Sequence, residues 1–280
     1  MVDLPAEQAE IDLLLRGIYD RYGYDFRNYS QLSLRRRIQM SMTQVGVNRL
    51  TELLDHLFHD QEKFSHFIKY MSVPVTDFFR DPDFYKSLRD KVIPILQTYT
   101  FIKVWHAGCS TGEEAYSMAV LLHEAGLIDR SRLYATDFDQ HSLNTAQNGV
   151  YQTEKMMTWI KNYRASGGVS DLMDFCSCAY DFIKIRRVLS ERITFSYHNL
   201  VSDGVFGEMN IIFCRNVLIY FDRELQDRVL RLLSDSLRHG GFLCLGSRET
   251  LRFSSVRSHF EPVDEGQKIY KKIGYGEVGS

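Results

Sequence analysis

Lys103-Val-Trp-His-Ala-Gly-Cys-Ser-Thr-Gly-Glu-Glu-Ala-Tyr-Ser117 is the stretch from which the fold is read. An apolar run from Ile102 to Ala107 meets Gly108 and Gly112, after which Ala115, Met118, Ala119 and Leu122 recur at helical spacing up to His123. A strand that feeds a glycine turn and then a helix is how α/β proteins bring backbone close to a nucleotide-like ligand. Ala-Gly-Cys-Ser-Thr-Gly does not match the G-x-G-x-x-G fingerprint, so the glycines carry little weight alone. The charges carry more. Glu113 and Glu114 open the helix, where the positive helix end favours carboxylates, and they would repel a pyrophosphate there. A nucleoside-like ligand that is cationic at its far end, as S-adenosylmethionine is, suits them better; both are also ordinary first-turn helix formers.

Working outward, Arg132-Leu-Tyr-Ala-Thr-Asp-Phe-Asp139 reads as a second strand ending in acids. Asp137, 25 residues after Gly112, is placed to accept hydrogen bonds from ribose hydroxyls. Asp139 is a weaker candidate for that role, or a cap for a helix over His141 to Asn148. Ile193 to Tyr197 predicts a further strand, as does Met209-Asn-Ile-Ile-Phe-Cys-Arg-Asn-Val-Leu-Ile-Tyr-Phe221, with Arg215 and Asn216 at its carboxyl end. A helix over Leu225 to Leu237, a turn at Gly240-Gly241, a strand over Phe242 to Gly246 and a late strand over Lys268 to Ile273 complete a doubly wound pattern. More than forty residues separate the helix ending at Asn148 from Ile193, far beyond an ordinary connection, which predicts an inserted lid or subdomain at about 150–190.

The first eighty residues carry helical stripes only: Ile11, Leu14, Leu15, Ile18 and Tyr22; Leu34, Ile38, Met42 and Val45, starting after Ser33 as an N-cap and stopping at Gly46; Leu50, Leu53, Leu54 and Leu57; Phe64, Phe67, Ile68 and Met71. A helical domain over 1–80 and an α/β domain over 81–280 are expected, with Asp81-Pro82 as N-cap and first position of a helix to about Gln97. From Phe26 to Leu50 stand five arginines and no acid, so Arg35, Arg36 and Arg37 form either a solvated face or a contact for an acidic partner.

With 280 residues, 44% hydrophobic and 25% charged, the chain has a globular composition. A net charge of -2 gives no global case for nucleic acid. No apolar stretch of membrane-spanning length and no signal peptide are apparent, which points to the cytoplasm. Five scattered cysteines suit reduced, mostly buried thiols, and no metal site is expected.

Val75-Thr-Asp-Phe-Phe-Arg80, Ser110-Thr-Gly-Glu-Glu-Ala-Tyr-Ser117, Ala135-Thr-Asp137 and Phe213-Cys-Arg-Asn-Val-Leu-Ile-Tyr-Phe221, in this order and spacing, resemble the CheR-type chemoreceptor glutamate O-methyltransferases. The resemblance covers nearly the whole chain. It implies an α/β fold, a Rossmann-like S-adenosylmethionine-dependent methyltransferase sheet of order 3-2-1-4-5-7-6, with an all-α N-terminal domain and an inserted small β subdomain. It implies transfer of a methyl group from S-adenosylmethionine to receptor glutamates, leaving S-adenosylhomocysteine. Cofactor contacts would fall on Thr76, Arg80, Glu114, Asp137, Asn199, Leu200, Cys214 and Arg215. Tyr220 would stand near the transferred methyl and, with Arg80 and Arg215, make up the catalytic set. Arg35, Arg36 and Arg37 would face the methyl-accepting receptor's cytoplasmic domain. A monomer is implied, touching the membrane only through the receptor. Pro74 replaces an asparagine found in many members, with loss of a polar cofactor contact, and Ser41 and Thr43 stand where basic residues are frequent. Arg164 is the nearest equivalent of the family's arginine in the insertion, where a receptor tail docks in some members.

Methylating a carboxylate is an in-line displacement that needs no general base, because a glutamate of pKa about 4.3 is ionised at pH 7. Proximity and alignment are what the protein supplies. A methyltransferase of RNA or a small molecule is the rival enzyme, although no Asn-Pro-Pro-Tyr follows the fourth strand. A module that binds cofactor or receptor without turnover, and an NAD-dependent oxidoreductase, are the others.

Overall fold

The computed structural model describes residues 4–72 and 76–274, with side chains from Glu7; Pro74 lies outside the described residues. By its packing the chain divides into two compact units. The first contains the helices Leu4–Tyr22, Gln31–Val45, Leu50–His59 and Gln61–Ser72. Their apolar stripes meet in one core: Ile18, Leu34, Leu53, Leu57 and Phe67 are fully buried, and Tyr22 stacks on Phe64 with ring centroids 3.7 Å apart. The second helix begins two residues before Ser33, with Ser30 at the N-cap position, so Ser33 lies inside it rather than capping it. Residues 219–226 belong to this unit too. Tyr29 and Phe221 form a β-bridge, the Ser30 amide donates to Tyr220 O (2.8 Å), and the Asp222 amide donates to Asn28 O (3.0 Å).

The second unit is the α/β part. Its strands are β1 (Ile102–Ala107), β2 (Ser131–Asp137), β3 (Val150–Gln152), β4 (Cys176–Ala179), β5 (Phe182–Ile185), β6 (Ile193–Tyr197), β7 (Met209–Cys214), β8 (Leu237–Leu245), β9 (Phe260–Asp264) and β10 (Ile269–Lys272). Seven of them form one sheet, ordered β6-β2-β1-β7-β8-β10-β9. Counting only those seven in chain order, this is 3-2-1-4-5-7-6, as the resemblance implies. The first five neighbours are parallel and β10 runs antiparallel to β8 and β9. β1 and β7 are buried on both faces apart from Lys103, which is why they read as continuous apolar runs. The strand expected from Phe242 starts at Leu237, so Gly240-Gly241 lies within β8 rather than forming a separate turn.

β3, β5 and β4 make a small antiparallel sheet, with the helix Met156–Ala165 between β3 and β4 in sequence. The boundary expected at residue 80 lies earlier. Phe78 packs on Trp159 (4.7 Å between centroids) and Tyr151, and Phe79 on Tyr85 and Tyr163, so residues 76–80 belong to the α/β core. The helix expected over 82–97 is interrupted by a wider turn at Leu88–Val92. Four cysteines are buried and Cys178 is exposed, all as free thiols.

Candidate active site

Parallel pairing of β6, β2, β1 and β7 brings their carboxyl ends to one edge, where ligands of doubly wound sheets bind. The turn after β1 is held against β2: the amides of Gly108 and Cys109 donate to Thr136 O (2.8 and 2.9 Å), and the Ser110 amide donates to Asp137 Oδ2 (2.8 Å). Gly108 has φ +78°, and a Cβ there would lie 2.6 Å from Val217 Cγ2, so both its conformation and its contact with the loop after β7 require glycine.

Asp137 ends β2 with its side chain buried, its second oxygen accepting from the Asp139 amide (3.0 Å). Burial pushes its pKa up to about 6, against the opposing pull of those backbone donors. Asp139 takes the capping role: it accepts from the His141 amide and from Ser142 Oγ at the start of the helix Gln140–Asn148. Asn199, after β6, is buried; its side-chain oxygen accepts from the Val201 amide and its own amide donates to Asp203, closing a turn that buries Leu200. Cys214 is buried at the end of β7.

Glu114 and Arg215 form one network. Arg215 donates through Nη1 to Glu114 Oε2 (3.2 Å) and through Nη2 to Asp81 Oδ2 (2.7 Å), and its guanidinium lies 3.9 Å over the Phe84 ring. His106 Nδ1 is 3.0 Å from Glu114 Oε1. Burial raises the Glu114 pKa, but the His106 and Arg215 bonds outweigh it and hold the group below its usual value. It is therefore an ionised acceptor, and His106 donates. Two expectations change here. Asp81 does not cap the helix Pro82–Ser87: its φ is +61°, no cap bond forms from its side chain, and the carboxylate is drawn to Arg215. Arg215, with a side chain 2% exposed, commits both Nη groups to carboxylates of its own chain, so a two-pronged bond to a ligand carboxylate is not open to it, while its Nε is buried with no partner among the described residues. His106 and Asp81 had no signal in the local sequence, since their partners are remote.

Thr76 and Arg80 are half-buried, in a segment where Phe79 (φ +49°) and Asp81 (φ +61°) both adopt the left-handed region. The Phe79 amide donates to Ser117 Oγ (2.9 Å), and Asp77 binds Lys155 and Trp159. In the helical unit, Tyr220 lies under Arg37, whose guanidinium is 4.2 Å from the ring centroid. Arg37 is 4% exposed and donates to Met71 O, so it is not on the outer face expected for it. Arg35 pairs with Glu7 (2.8 Å), leaving Arg36 exposed on this helix. Ser41 is buried with Arg37, and Arg164 is exposed.

A family model described as CheR methyltransferase, SAM binding domain, matches residues 74–269, and one described as CheR methyltransferase, all-alpha domain, matches residues 9–72. This chain belongs to the CheR methyltransferase family. It is 45% identical over 263 residues to "Putative methyltransferase Cher3" of Pseudomonas putida KT2440, covering 94% of this chain and 96% of that protein. It is 34% identical to an uncharacterized 104.1 kDa protein in the hypE 3' region of Rhodobacter capsulatus, covering 90% of this chain but 26% of that protein. A chemotaxis protein methyltransferase of Listeria innocua is 30% identical over 231 residues, 82% of this chain and 85% of that protein.

The cofactor of this CheR family member is S-adenosylmethionine, and the residues at the strand ends fit it. Asp137 is a buried carboxylate whose ionisation is penalised, and two ribose hydroxyls would supply the donors it lacks. Beside it, Ser110 Oγ is buried with no hydrogen-bond partner among the described residues.

Proposed function

We propose that this protein methylates glutamate side chains in the cytoplasmic domains of chemoreceptors. Bound S-adenosylmethionine supplies an electrophilic methyl group on its sulfonium. The observation that carries the reading is the state of the imidazoles nearest the strand ends. His106 is fully buried and donates to Glu114, and His198 is buried with Nε2 against Gly204 O (3.2 Å). The other ring nitrogen of each, His106 Nε2 and His198 Nδ1, is enclosed by protein with no partner among the described residues, so burial keeps both bases from a substrate hydroxyl or amine. A carboxylate nucleophile needs no such help, which separates this reading from transfer to RNA or to a small alcohol.

In this reading Asp137 holds the ribose, with Asn199 and Leu200 flanking the nucleoside and Cys214 supplying backbone. Glu114 and Arg215 act as a neutralised pair that shapes the floor of the site, and Thr76 and Arg80 close it from the 76–81 segment. Arg80 and Tyr220 are the side chains assigned to orienting the attacking oxygen and the methyl. The substrate helix is Gln31–Val45, with Arg36 as its exposed cation and Arg35 and Arg37 behind it. The reading carries with it a cytoplasmic monomer that reaches the membrane through its receptor and does not bind nucleic acid. Among the described residues no helix is long and apolar enough to cross a membrane.

The test is incubation with methyl-labelled cofactor and receptor cytoplasmic domains, followed by mild base. Release of the label as methanol marks a carboxyl ester and supports the reading; base-stable label, or none, defeats it.

A further inference from the structure

The loop after β7 is held from behind by a residue that the motifs do not include. Glu249 follows β8, the sheet neighbour of β7, and its side chain is buried at 4% exposure. Its carboxylate accepts four backbone hydrogen bonds. Oε1 takes the amides of Val217 (2.8 Å) and Leu218 (2.7 Å), and Oε2 takes those of Asn216 (3.0 Å) and Gly246 (2.5 Å). Three consecutive amides converging on one carboxylate form an anion nest filled by the protein's own side chain. Asn216 has φ +62°, a conformation that costs energy in a residue with a side chain and persists where its surroundings impose it. Gly246 makes the approach feasible: a Cβ there would stand 2.7 Å from the Asn216 amide and 2.8 Å from Glu249 Oε2.

We infer that Glu249 is a positioning residue for methyl transfer: it fixes the backbone of Asn216, Val217 and Leu218, from which the short turn Leu218–Tyr220 starts. What lies before the loop is secured by other means. Cys214 is in the sheet, Arg215 is bound to Asp81 and Glu114, and the Gly108 turn is tied to Thr136 and Asp137. Val217 packs on Gly108, but that turn keeps its own ties to Thr136 and Asp137, so loss of the clamp acts mainly on the segment that leads to Tyr220. The turnover part of this inference rests on the receptor reading above.

Glu249→Gln is the test. In either orientation the amide keeps one acceptor oxygen for two of the four donors and turns an NH2 toward the other two. With S-adenosylhomocysteine bound, amides 216–218 should exchange hydrogen at least tenfold faster than in the wild type. S-adenosylhomocysteine affinity should stay within threefold, and kcat for receptor labelling should fall at least thirtyfold. A kcat within threefold of wild type, or affinity that falls in step with rate, overturns the inference, because a purely structural role lowers the melting temperature without splitting the two. If the Gln variant does not fold, Glu249→Asp serves: it keeps the charge but reaches one pair of amides, so an intermediate rate is expected, and an unchanged rate overturns the inference. A wild type that labels no receptor sinks the receptor reading alone. The exchange arm needs no substrate, and unchanged exchange at 216–218 in the Gln variant then overturns the inference by itself.

Discussion

Asp137→Asn separates the cost of an unliganded carboxylate from its use. With its pKa raised from 3.8 to about 6, the ionised form is disfavoured in the folded state by about 3 kcal/mol. The sign follows from proton counts. Between those values the folded state holds more protons than the unfolded one, so this group's contribution to stability is intact below pH 3.8 and is lost as pH rises through 6. Asparagine removes that penalty but keeps one acceptor for two donors, the Ser110 and Asp139 amides, at a cost of about 1–2 kcal/mol. The net gain of about 1–2 kcal/mol at pH 8 corresponds to a melting temperature higher by roughly 2–8 °C for a unit of this size. At pH 5, where wild-type Asp137 is largely protonated, the gain disappears. Ribose hydroxyls donating to the carboxylate add about 1.5–3 kcal/mol per bond, so affinity for S-adenosylhomocysteine should fall roughly 10-fold to 100-fold or more. Scanning calorimetry at the two pH values and titration calorimetry measure these quantities. In wild type, binding near pH 6 should also release protons, because ligation pulls the raised pKa back down. A variant that melts lower at pH 8 and binds the ligand unchanged would refute the assignment of Asp137 to the ribose.

Glu114→Ala leaves the buried Arg215 cation with Asp81 as its charged partner; loss of one member of such a network costs about 3–5 kcal/mol, so the melting temperature should drop by roughly 6–20 °C. An unchanged melting curve would show that the network carries no stability. Arg36→Glu should raise KM for receptor with S-adenosylhomocysteine affinity and melting temperature untouched, since this side chain is exposed; equal loss of cofactor binding would contradict the receptor role. Arg37→Met keeps the bulk but removes the cation over Tyr220, worth about 0.5–2 kcal/mol, so kcat should fall roughly 2-fold to 30-fold with KM for receptor little changed. The opposite pattern, a raised KM at constant kcat, would return Arg37 to the receptor surface.

The contrast between these two arginines shows where sequence reading holds and where it stops. Helices and strands were legible because their apolar periods report which face is buried, and Leu34, Ile38 and Met42 are indeed inside. The same period contained the answer for Arg37, three residues after Leu34 and four before the buried Ser41, but its charge suggested the opposite face. Side chains whose partners are distant could not be read at all. Asp81 finds Arg215 across 134 positions, and Glu249 finds amides 31 to 33 positions away. No local pattern encodes either pairing, because it exists only once β7 lies beside β1 and β8. The acidic helix start is the sharpest instance. Two adjacent glutamates suggested a carboxylate facing a cationic ligand, yet Glu114 is engaged by His106 and Arg215 and held below its usual pKa. Asp137 meets only backbone donors and is driven the other way. A carboxylate that its own fold has already neutralised gains little from a ligand, whereas one left short of donors gains a great deal. On that physical ground we propose that the ligand energy resides at the end of β2, with Glu114 acting through Arg215 as part of the frame.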